Sequence, residues 1–379
     1  MQGILLAFAF GNFVIGCGIM IVAAMLNDLA SGLQITVPEA GGLIGVAGVV
    51  LFLGAPLAAT FTSGIARHRL LVGSLVASAI GHLLCAVAPN YGALLSLRMF
   101  AVLGAAVFTP QAAVTVGLLM PACKRNGAIV TIFLGWSVAS VAGMPLGSLV
   151  GGTFGWRAGF LLVGILTVIA AIWVARVTPK GLAVPSVSPA IWRNLLTNPP
   201  LRGVLLVTLL VSAGQFTVQS YMAPLLRYSI EATPAVLSAY FLLFGVSAVI
   251  GNMLVTRYVD RLGVSRAVAL SLGAILLSQL LWPLSFGSPL ISAALFAVWG
   301  AGAFGTGSAQ QARLVSVDSN VASASIALNS SLLYAGQALG ALVGGWWIEA
   351  AGYEMLSWWS SLLLTAAILT SFWVGRRGY

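Results

Sequence analysis

Residues 100–108 of this chain read FAVLGAAVF, and residues 296–304 read FAVWGAGAF, the same pattern 196 positions later. A glycine-rich run from Gly143 to Gly152 also recurs, 193 positions later, from Gly336 to Gly345. These repeats indicate two halves built on one template. In membrane proteins, internal repeats of this kind are typical of transporters, whose substrate sites form near the bilayer midplane where the halves meet.

The composition predicts an integral membrane protein. Hydrophobic residues make up 60% of the chain and charged residues only 6%, whereas soluble domains are about 25% charged. Twelve apolar stretches approach the length of about 20 residues that a helix needs to cross the hydrocarbon core. We therefore predict an all-α membrane protein with 12 transmembrane helices in two pseudo-symmetric six-helix bundles. The approximate spans are 3–26, 40–61, 70–88, 91–120, 128–152, 160–177, 203–226, 234–256, 267–286, 290–313, 323–348 and 357–375.

The longest polar interruption between these spans is residues 178–202, which contain five prolines. We interpret it as a cytoplasmic linker between an N-terminal six-helix bundle, residues 1–177, and a C-terminal six-helix bundle, residues 203–379. The other loops are short, so the sequence predicts two bundles packed face to face without an additional soluble domain.

The net charge of +10 is explained by the location of the basic residues. With the amino terminus in the cytoplasm, 14 of the 17 Lys and Arg residues lie in predicted inner loops, and five of the seven acidic residues lie outside. The positive-inside rule therefore predicts cytoplasmic termini and requires no nucleic-acid partner. The three cysteines have neither disulfide nor metal-site spacing, and we expect no cofactor and no metal.

The loop after the second span of each half carries a related motif. The second half contains Gly251, Asp260, Arg261, Gly263 and Arg266. The first half keeps Gly54 and the basic residues Arg67 and Arg69, but Ser63 stands where Asp260 would align. A carboxylate can accept hydrogen bonds from helix N-terminal N–H groups or pair with an arginine. We therefore predict a gate latch carried mostly by the second half.

The fifth span contains Gly143, Pro145 and Gly147, followed by Gly151-Gly152. Glycines four residues apart share one helix face and let a neighbouring backbone approach, and the proline bends the helix. Simple helix packing is the alternative interpretation of this spacing. With these motifs, the chain resembles the major facilitator superfamily over essentially its whole length. The resemblance is to the twelve-span drug/proton antiporter branch, which includes bacterial sugar, purine and amphenicol exporters.

The resemblance implies a monomeric carrier in the bacterial inner membrane that works by rocking of its two bundles. It also implies a small-molecule substrate, surrounding lipid and proton antiport. The gating and conformational residues that it suggests are Gly54, Arg67, Arg69, Gly143, Pro145, Gly147, Gly251, Asp260, Arg261 and Arg266.

Arg98 is the one ionised side chain well within a predicted span. Charges at that depth are costly and are usually functional. The residue resembles the arginine of the family's fourth-span motif, which implies a role in coupling or in holding the substrate-cavity network. The alternative is that Arg98 snorkels from the helix end and bonds backbone carbonyls.

Proton coupling is harder to assign, because no Asp or Glu lies in the interior of any span. Ile19 stands where related exporters often have a carboxylate. Coupling would then use Asp28, Glu39, a histidine or protonation of the substrate. Among the histidines, His82 is a candidate because the ordinary pKa of an imidazole lies in a suitable range, although we favour its interpretation as a hydrogen-bonded packing residue. Proton antiport is the expected mechanism and an uncoupled facilitator is the alternative.

Polar side chains on the spans that the family places around a central cavity are the substrate candidates. Neutral amides, hydroxyls and aromatic rings with one cation suit a neutral or weakly anionic polar solute. For each amide, bonding between helices is the alternative role. The candidate residues are Asn12, Arg98, Thr109, Gln215, Gln219, Tyr221, Trp299, Thr306, Gln310, Asn329, Tyr334 and Gln337.

The expected function is export of a small organic solute by alternating access. The expected classes of solute are a sugar, a nucleoside or purine, an amino-acid derivative or a drug. An importer or an uncoupled facilitator of a small polar or weakly anionic metabolite is the alternative. An enzyme is excluded as the leading class, because the sequence offers no nucleophile–base pair, metal cluster or phosphate-binding loop.

Overall fold

The computed structural model of the chain describes residues 2–62, 64–182, 198–317 and 322–376. The side chain of Asp260 and most of the predicted linker lie outside this part. The latch assigned to Asp260 and the linker boundaries therefore stay predictions.

The first half consists, in its described part, of six long helices and one short one. The short helix, α2, follows α1 directly after a break at Met25, whose φ is −101° and ψ is 15°. The helices are α1 (Gln2–Ala24), α2 (Leu26–Leu33), α3 (Val37–Phe61), α4 (Arg67–Ala86), α5 (Tyr91–Leu119), α6 (Ala122–Phe154) and α7 (Trp156–Val177).

The second half repeats this order. Its helices are α8 (Pro199–Gln219), α9 (Met222–Ile230), α10 (Pro234–Leu262), α11 (Val264–Leu281), α12 (Pro289–Val317), α13 (Ala322–Ala351) and α14 (Leu356–Arg376), with short 3₁₀ turns at Trp282–Ser285 and Tyr353–Met355. The break between α8 and α9 falls at Tyr221. Pro224 accounts for it, because proline lacks an N–H and its ring excludes the carbonyl four residues earlier.

Several helix starts follow from capping residues in the sequence. The Asn90 side chain accepts a hydrogen bond from the backbone N–H of Ala93 at the start of α5. Asn198 and Thr233 cap α8 and α10 in the same way, and each is followed by proline. A polar cap satisfies an otherwise unpaired N–H, and proline at the first helical position loses no hydrogen bond there.

Twelve helices in the described part are long and apolar enough to cross a membrane. The predicted all-α class with 12 spans is therefore confirmed. Some helices run beyond the predicted spans: α6 covers Ala122–Phe154, whereas hydropathy indicated 128–152. Two predicted spans, 3–26 and 203–226, are instead interrupted by the breaks at Met25 and Tyr221. Hydropathy locates the part of a helix that lies in hydrocarbon, and polar turns at either end can continue the same helix.

The chain divides into two compact units. The first comprises Met1–Thr36 and Val49–Val187, and the second comprises Val37–Gly48 and Ser188–Tyr379. In the first unit, α1 packs on α6 and α7, and α4 packs on α5 and α7. In the second unit, α8 packs on α13 and α14, and α11 packs on α12 and α14. These four helix pairs therefore recur in both units.

Glycines make the closest helix contacts in both units. A Cβ atom at Gly135 of α6 would lie 2.0 Å from the Ala9 carbonyl oxygen of α1. A Cβ atom at Gly340 of α13 would lie 2.5 Å from the Ala213 carbonyl oxygen of α8. The helices approach backbone to backbone, as small residues allow in membrane bundles.

The contacts also fix the register of the internal repeat. Gly147 lies against Ile21, four residues before the break after α1, and Gly344 lies against Thr217, four residues before the break after α8. Gly344 therefore takes the place of Gly147, an offset of 197 rather than the 193 that sequence matching indicated. Glycines recur every four residues here, so the sequence match slipped by about one helical turn.

The same test applies to α5 and α12. A Cβ atom at Gly104 would lie 2.2 Å from the Ser74 carbonyl oxygen, and one at Gly302 would lie 2.5 Å from the Ser271 carbonyl oxygen. Ser271 therefore takes the place of Ser74, an offset of 197 residues, and Gly302 takes the place of Gly104, an offset of 198. The FAVLGAAVF repeat, matched at 196, therefore also differs from the register of the packed helices.

Candidate functional site

Arg98 joins α5 to α1 inside the first unit. Its side chain is fully buried. One terminal nitrogen, Nη1, donates to the Gly18 carbonyl oxygen at 2.8 Å, and Nη2 donates to the Ile19 carbonyl oxygen at 3.3 Å. The carbonyl contacts foreseen in the alternative interpretation are present. With no exposed surface, however, the side chain does not snorkel to the membrane boundary.

His82 of α4 lies beside this guanidinium group. Its Nε2 is 3.4 Å from Arg98 Nη1, and its Nδ1 is 2.8 Å from the Ser78 carbonyl oxygen. Since a carbonyl can only accept, Nδ1 carries the hydrogen and Nε2 presents its lone pair to Arg98. Gly18 makes room for the ring, because a Cβ atom there would lie 2.8 Å from Nε2. His82 thus acts as a neutral acceptor.

No carboxylate in the described part of the chain pairs with the buried charge of Arg98. The sequence contains no Asp or Glu from residue 40 to residue 230. Carbonyl dipoles of α1 and the lone pair of His82 surround the guanidinium instead. A buried charge without such hydrogen bonds would be strongly destabilising. The interaction between Arg98 and α1 is consequently sensitive to any change at His82.

Asn12 and Thr109 connect three helices of the same unit. Thr109 Oγ1 donates to Asn12 Oδ1 at 2.9 Å, and Asn12 Nδ2 donates to the Ile132 carbonyl oxygen at 2.9 Å. Asn12 is fully buried. These contacts bring together two predicted cavity residues from α1 and α5, and their main bonds run between helices.

A second polar cluster lies in the second unit, centred on Thr208 of α8. The Thr208 hydroxyl donates to Asn329 Oδ1 of α13 at 2.6 Å. Gln310 Nε2 of α12 donates to Thr208 Oγ1 at 3.3 Å and to the Val204 carbonyl oxygen at 3.2 Å. Thr208 was not among the predicted residues, although it lies one turn before Ser212 on the polar stripe of α8.

Gln215 and Gln219 are more exposed than the residues of the cluster around Thr208. Both are half-buried on α8, and Gln215 Nε2 donates to Gln219 Oε1 at 3.1 Å. Each amide has two donor hydrogens and one acceptor oxygen. Among the described residues, the Gln215 oxygen and the Gln219 amino group have no further hydrogen-bond partner.

Three other predicted cavity residues are engaged in packing. The Tyr221 hydroxyl, fully buried, donates to the Ala341 carbonyl oxygen at 2.6 Å. Thr306 donates to the Gly302 carbonyl oxygen of its own helix at 2.9 Å. Trp299 is fully buried. Of the remaining two, Tyr334 is half-buried and Gln337 is buried on α13.

Trp299 belongs to an aromatic cluster formed by α10, α12 and the 3₁₀ turn after α11. Phe296 is its centre, with ring centroids 5.0 Å from Phe244 and 5.6 Å from Trp299. Trp282 and Trp299 meet edge to face at 6.5 Å. The cluster consists of Tyr240, Phe241, Phe244, Trp282, Phe296 and Trp299.

The predicted gating residues fall into buried and exposed groups. Arg67 is buried, and its guanidinium donates to Gln111 Oε1 while its backbone N–H donates to the Leu182 carbonyl oxygen at 2.8 Å. Gln111 is a further residue that the sequence did not single out. The glycines Gly54, Gly143, Gly147 and Gly251 and the helix-interior Pro145 are buried, whereas Arg69, Arg261 and Arg266 are exposed.

Twelve spans in two repeated units, each holding a buried polar network, define a polytopic membrane transporter. The sequence matches the Major Facilitator Superfamily over residues 8–325, and the chain belongs to this family. It is a multi-pass membrane protein with 12 spans and is not an enzyme. The family resemblance drawn from the sequence motifs is thus confirmed.

Relatives align with nearly the whole chain. The inner membrane transport protein YdhP of Escherichia coli O157:H7 is 32% identical over 378 residues, covering 98% of this chain and 96% of the relative. A probable sugar efflux transporter of Mannheimia succiniciproducens is 27% identical over 370 residues, covering 96% and 91%. The fold is similar to that of a bacterial homologue of the human lysosomal transporter Spinster in an inward-facing, occupied conformation. The TM-score is 0.78 at 15% identity, covering 98% of this chain and 96% of that one.

Proposed function

We propose that the protein exports a small organic solute by alternating access in exchange for protons. The substrate is a neutral or weakly anionic polar molecule, such as a sugar, a nucleoside, an amino-acid derivative or an uncharged drug. A relative at 27% identity is named a probable sugar efflux transporter, which supports export. The loop charges support a bacterial inner membrane location with both termini in the cytoplasm.

The amides of Gln215 and Gln219 are the solute-binding groups in this proposal. They are half-buried, and hydrogen-bonding capacity remains on each. The amide nitrogen of Gln310 and the amide oxygen of Asn329, in contrast, are buried and bond within the cluster around Thr208. A hydroxyl-rich or amide-bearing solute can donate to the Gln215 oxygen and accept from the Gln219 amino group.

The contact between His82 and Arg98 carries the proposal of proton coupling. A proton on His82 Nε2 would remove the acceptor and place two cations 3.4 Å apart. At an effective dielectric constant of about 20, their repulsion is on the order of 5 kcal/mol. A protonated His82 is thus incompatible with the contact between its Nε2 and Arg98. Protonation would force the guanidinium away from the imidazole and change its hydrogen bonds to the α1 carbonyls.

Among the described residues, Arg98 is the charged group that faces His82. Arg98 faces it from α5, the Phe160 ring lies at 6.4 Å from α7, and α1 presents the backbone at Gly18. Cys85 is one turn further along α4. A change in protonation therefore acts directly on Arg98 and on the backbone of α1, the helix that also holds Asn12.

Proteoliposomes with an imposed pH gradient test this function. We expect the wild type to accumulate a radiolabelled solute against its concentration gradient, and Gln215→Ala to raise the half-saturating concentration. His82→Gln keeps a neutral side chain that cannot be protonated, so it should retain counterflow and lose the gradient-driven accumulation.

His68→Gln is the matched control, because His68 bonds the Thr178 carbonyl oxygen outside this network. It should keep gradient-driven accumulation. Wild-type flux that is indifferent to the pH gradient would favour the uncoupled facilitator, and gradient-driven accumulation by His82→Gln would exclude His82 as the proton site.

A further inference from the structure

Two grooves occupy equivalent positions on the two units. One runs between α4 and α7, with Val72 and Ala175 in its lining, and the other runs between α11 and α14, with Ala269 and Phe372 in its lining. Both residue pairs are related by the offset of 197. Large apolar side chains beside the second groove are exposed, such as Leu369 at 65%. In a membrane-spanning helix, such surface contacts lipid.

The two grooves differ in their polarity. The groove between α4 and α7 is lined only by aliphatic side chains. The groove between α11 and α14 has Ser265, Arg266 and Ser371 at one end, and Ala269, Ile368 and Phe372 along its length. It encloses about 620 Å³ of space, part of it open to the outside. The second groove is therefore amphipathic, and the first is not.

A buried cation strengthens the polar end. Arg313 of α12 is buried behind the groove, where Nη1 donates to Ser371 Oγ at 2.9 Å and Nη2 donates to the Ser371 carbonyl oxygen at 3.1 Å. A Cβ atom at Gly375 would lie 3.6 Å from Arg313 Nη2 and 3.9 Å from Ser265 Oγ. Burial lowers the pKa of Arg313, but a guanidinium remains charged at neutral pH.

Arg266 supplies a second, accessible cation. Its side chain is exposed and makes no hydrogen bond or ion pair to any residue in the described part of the chain. Ser265 beside it is also exposed. Two positive charges and two hydroxyl groups therefore meet at one end of a groove whose remaining walls are apolar.

We propose that the groove between α11 and α14 binds an anionic phospholipid. The phosphate accepts hydrogen bonds from Arg266 and Ser265 at the polar end of the groove, where Ser371 also lines the wall. An acyl chain lies against Ala269, Ile368 and Phe372. Basic pockets between transmembrane helices bind anionic headgroups in this manner. A lipid fits better than a free anion, because the apolar walls leave the rest of the ligand in contact with hydrocarbon.

Native mass spectrometry of the purified full chain, titrated with phosphatidylglycerol or phosphatidylcholine, tests the site. We expect preferential retention of phosphatidylglycerol. Arg266→Ala should weaken that retention about five-fold, the effect of one basic residue at an anionic surface. Ala269→Phe should displace the acyl chain without removing a charge. Arg69→Ala is the matched control, because Arg69 is the exposed arginine at the equivalent position beside the aliphatic groove.

Loss of the preference in Arg266→Ala and Ala269→Phe but not in Arg69→Ala would support the site. Equal retention of both lipids by the wild type would overturn it, as would a preference that survives both groove variants. Competition by millimolar inorganic phosphate that fully removes the Arg266 effect would also overturn it, since the site would then take a free anion. Thermal unfolding of each variant separates loss of lipid from loss of fold.

Discussion

Arg98 uses two nitrogens of a planar guanidinium to hold adjacent carbonyls of α1, a geometry that the single amino group of lysine cannot reproduce. Removing one hydrogen bond to a charged group changes a free energy by about 1.5–3 kcal/mol. We expect Arg98→Lys to lower the initial rate of solute counterflow by about one to two orders of magnitude.

Arg157→Lys is the control for that measurement. Arg157 also donates to a carbonyl, that of Ala88 at 3.0 Å, but its side chain is exposed and stacks on Trp156. It should transport at nearly the wild-type rate. Equal rates for the two variants would remove Arg98 from the mechanism.

Gln310 offers a second test at the level of single residues. It is buried, and its amino group bonds Thr208 and the Val204 carbonyl. Gln310→Ala leaves a cavity and unpaired groups, so the free energy of unfolding should fall by about 2–3 kcal/mol. The adjacent Gln311 is exposed, and Gln311→Ala should change it by less than about 0.5 kcal/mol. Thermal or denaturant unfolding in detergent would compare the stability of the two variants. If Gln310→Ala is as stable as the wild type but binds the solute more weakly, Gln310 is a solute-binding residue instead.

The sequence alone identified a site residue where the residue type was unusual for its position. Arg98 stood out because a charge in a hydrophobic span is costly. The contact with His82 could not be derived in the same way, since it depends on the rotation of α4 against α5. Likewise, Thr208 and Gln111 become recognisable only through partners on other helices.

At the scale of helices, the glycine contacts determine how closely neighbours can pack. A Cβ atom at Gly251 of α10 would lie 1.9 Å from the Ala301 carbonyl oxygen of α12, a backbone atom that cannot rotate away. Gly251→Ala should therefore separate the two helices and lower the free energy of unfolding by about 3 kcal/mol or more. The yield and melting temperature of purified protein would report this loss.

Gly273 on α11 is the control for this substitution. No atom lies within 4 Å of a Cβ atom built there. Gly273→Ala should be neutral or stabilise the protein by up to about 1 kcal/mol, because alanine is the better helix former. If both variants melt alike, close packing does not constrain this helix pair.

Helix number and order could be predicted from the sequence, but helix register could not. Hydrophobic length is a local property, and each of the 12 spans carries it. Register depends on which glycine faces which carbonyl. Since Gly336, Gly340 and Gly344 repeat at four-residue intervals, a shift by one turn matches the sequence equally well.

At the scale of the whole molecule, the two units share a packing pattern and differ in polar content. In the register of the packed helices, Gln279 takes the place of His82, and Phe296 takes the place of Arg98. The amide of Gln279 is buried and has no partner in the described part of the second unit. At these two matched positions, the first unit thus has a charged and a titratable side chain where the second has an amide and an aromatic ring.

The distribution of loop charge predicts the orientation of the whole chain. With 14 of 17 basic residues in predicted inner loops, the positive-inside rule predicts that these loops are cytoplasmic. We expect a green fluorescent protein fused to the C-terminus to fluoresce and an alkaline phosphatase fused there to be inactive. An active phosphatase fusion would reverse the assigned orientation. A fusion after residue 90, in a predicted outer loop, is the control and should give the opposite result.

The aromatic cluster has an optical consequence. Trp282 and Trp299 are buried edge to face, and no described residue accepts a hydrogen bond from either indole nitrogen. Indoles shielded from water emit fluorescence at shorter wavelengths, and their emission shifts to the red on hydration. The pair should therefore contribute a short-wavelength component to the emission of the 11 tryptophans, and loosening around Phe296 would shift that component to the red.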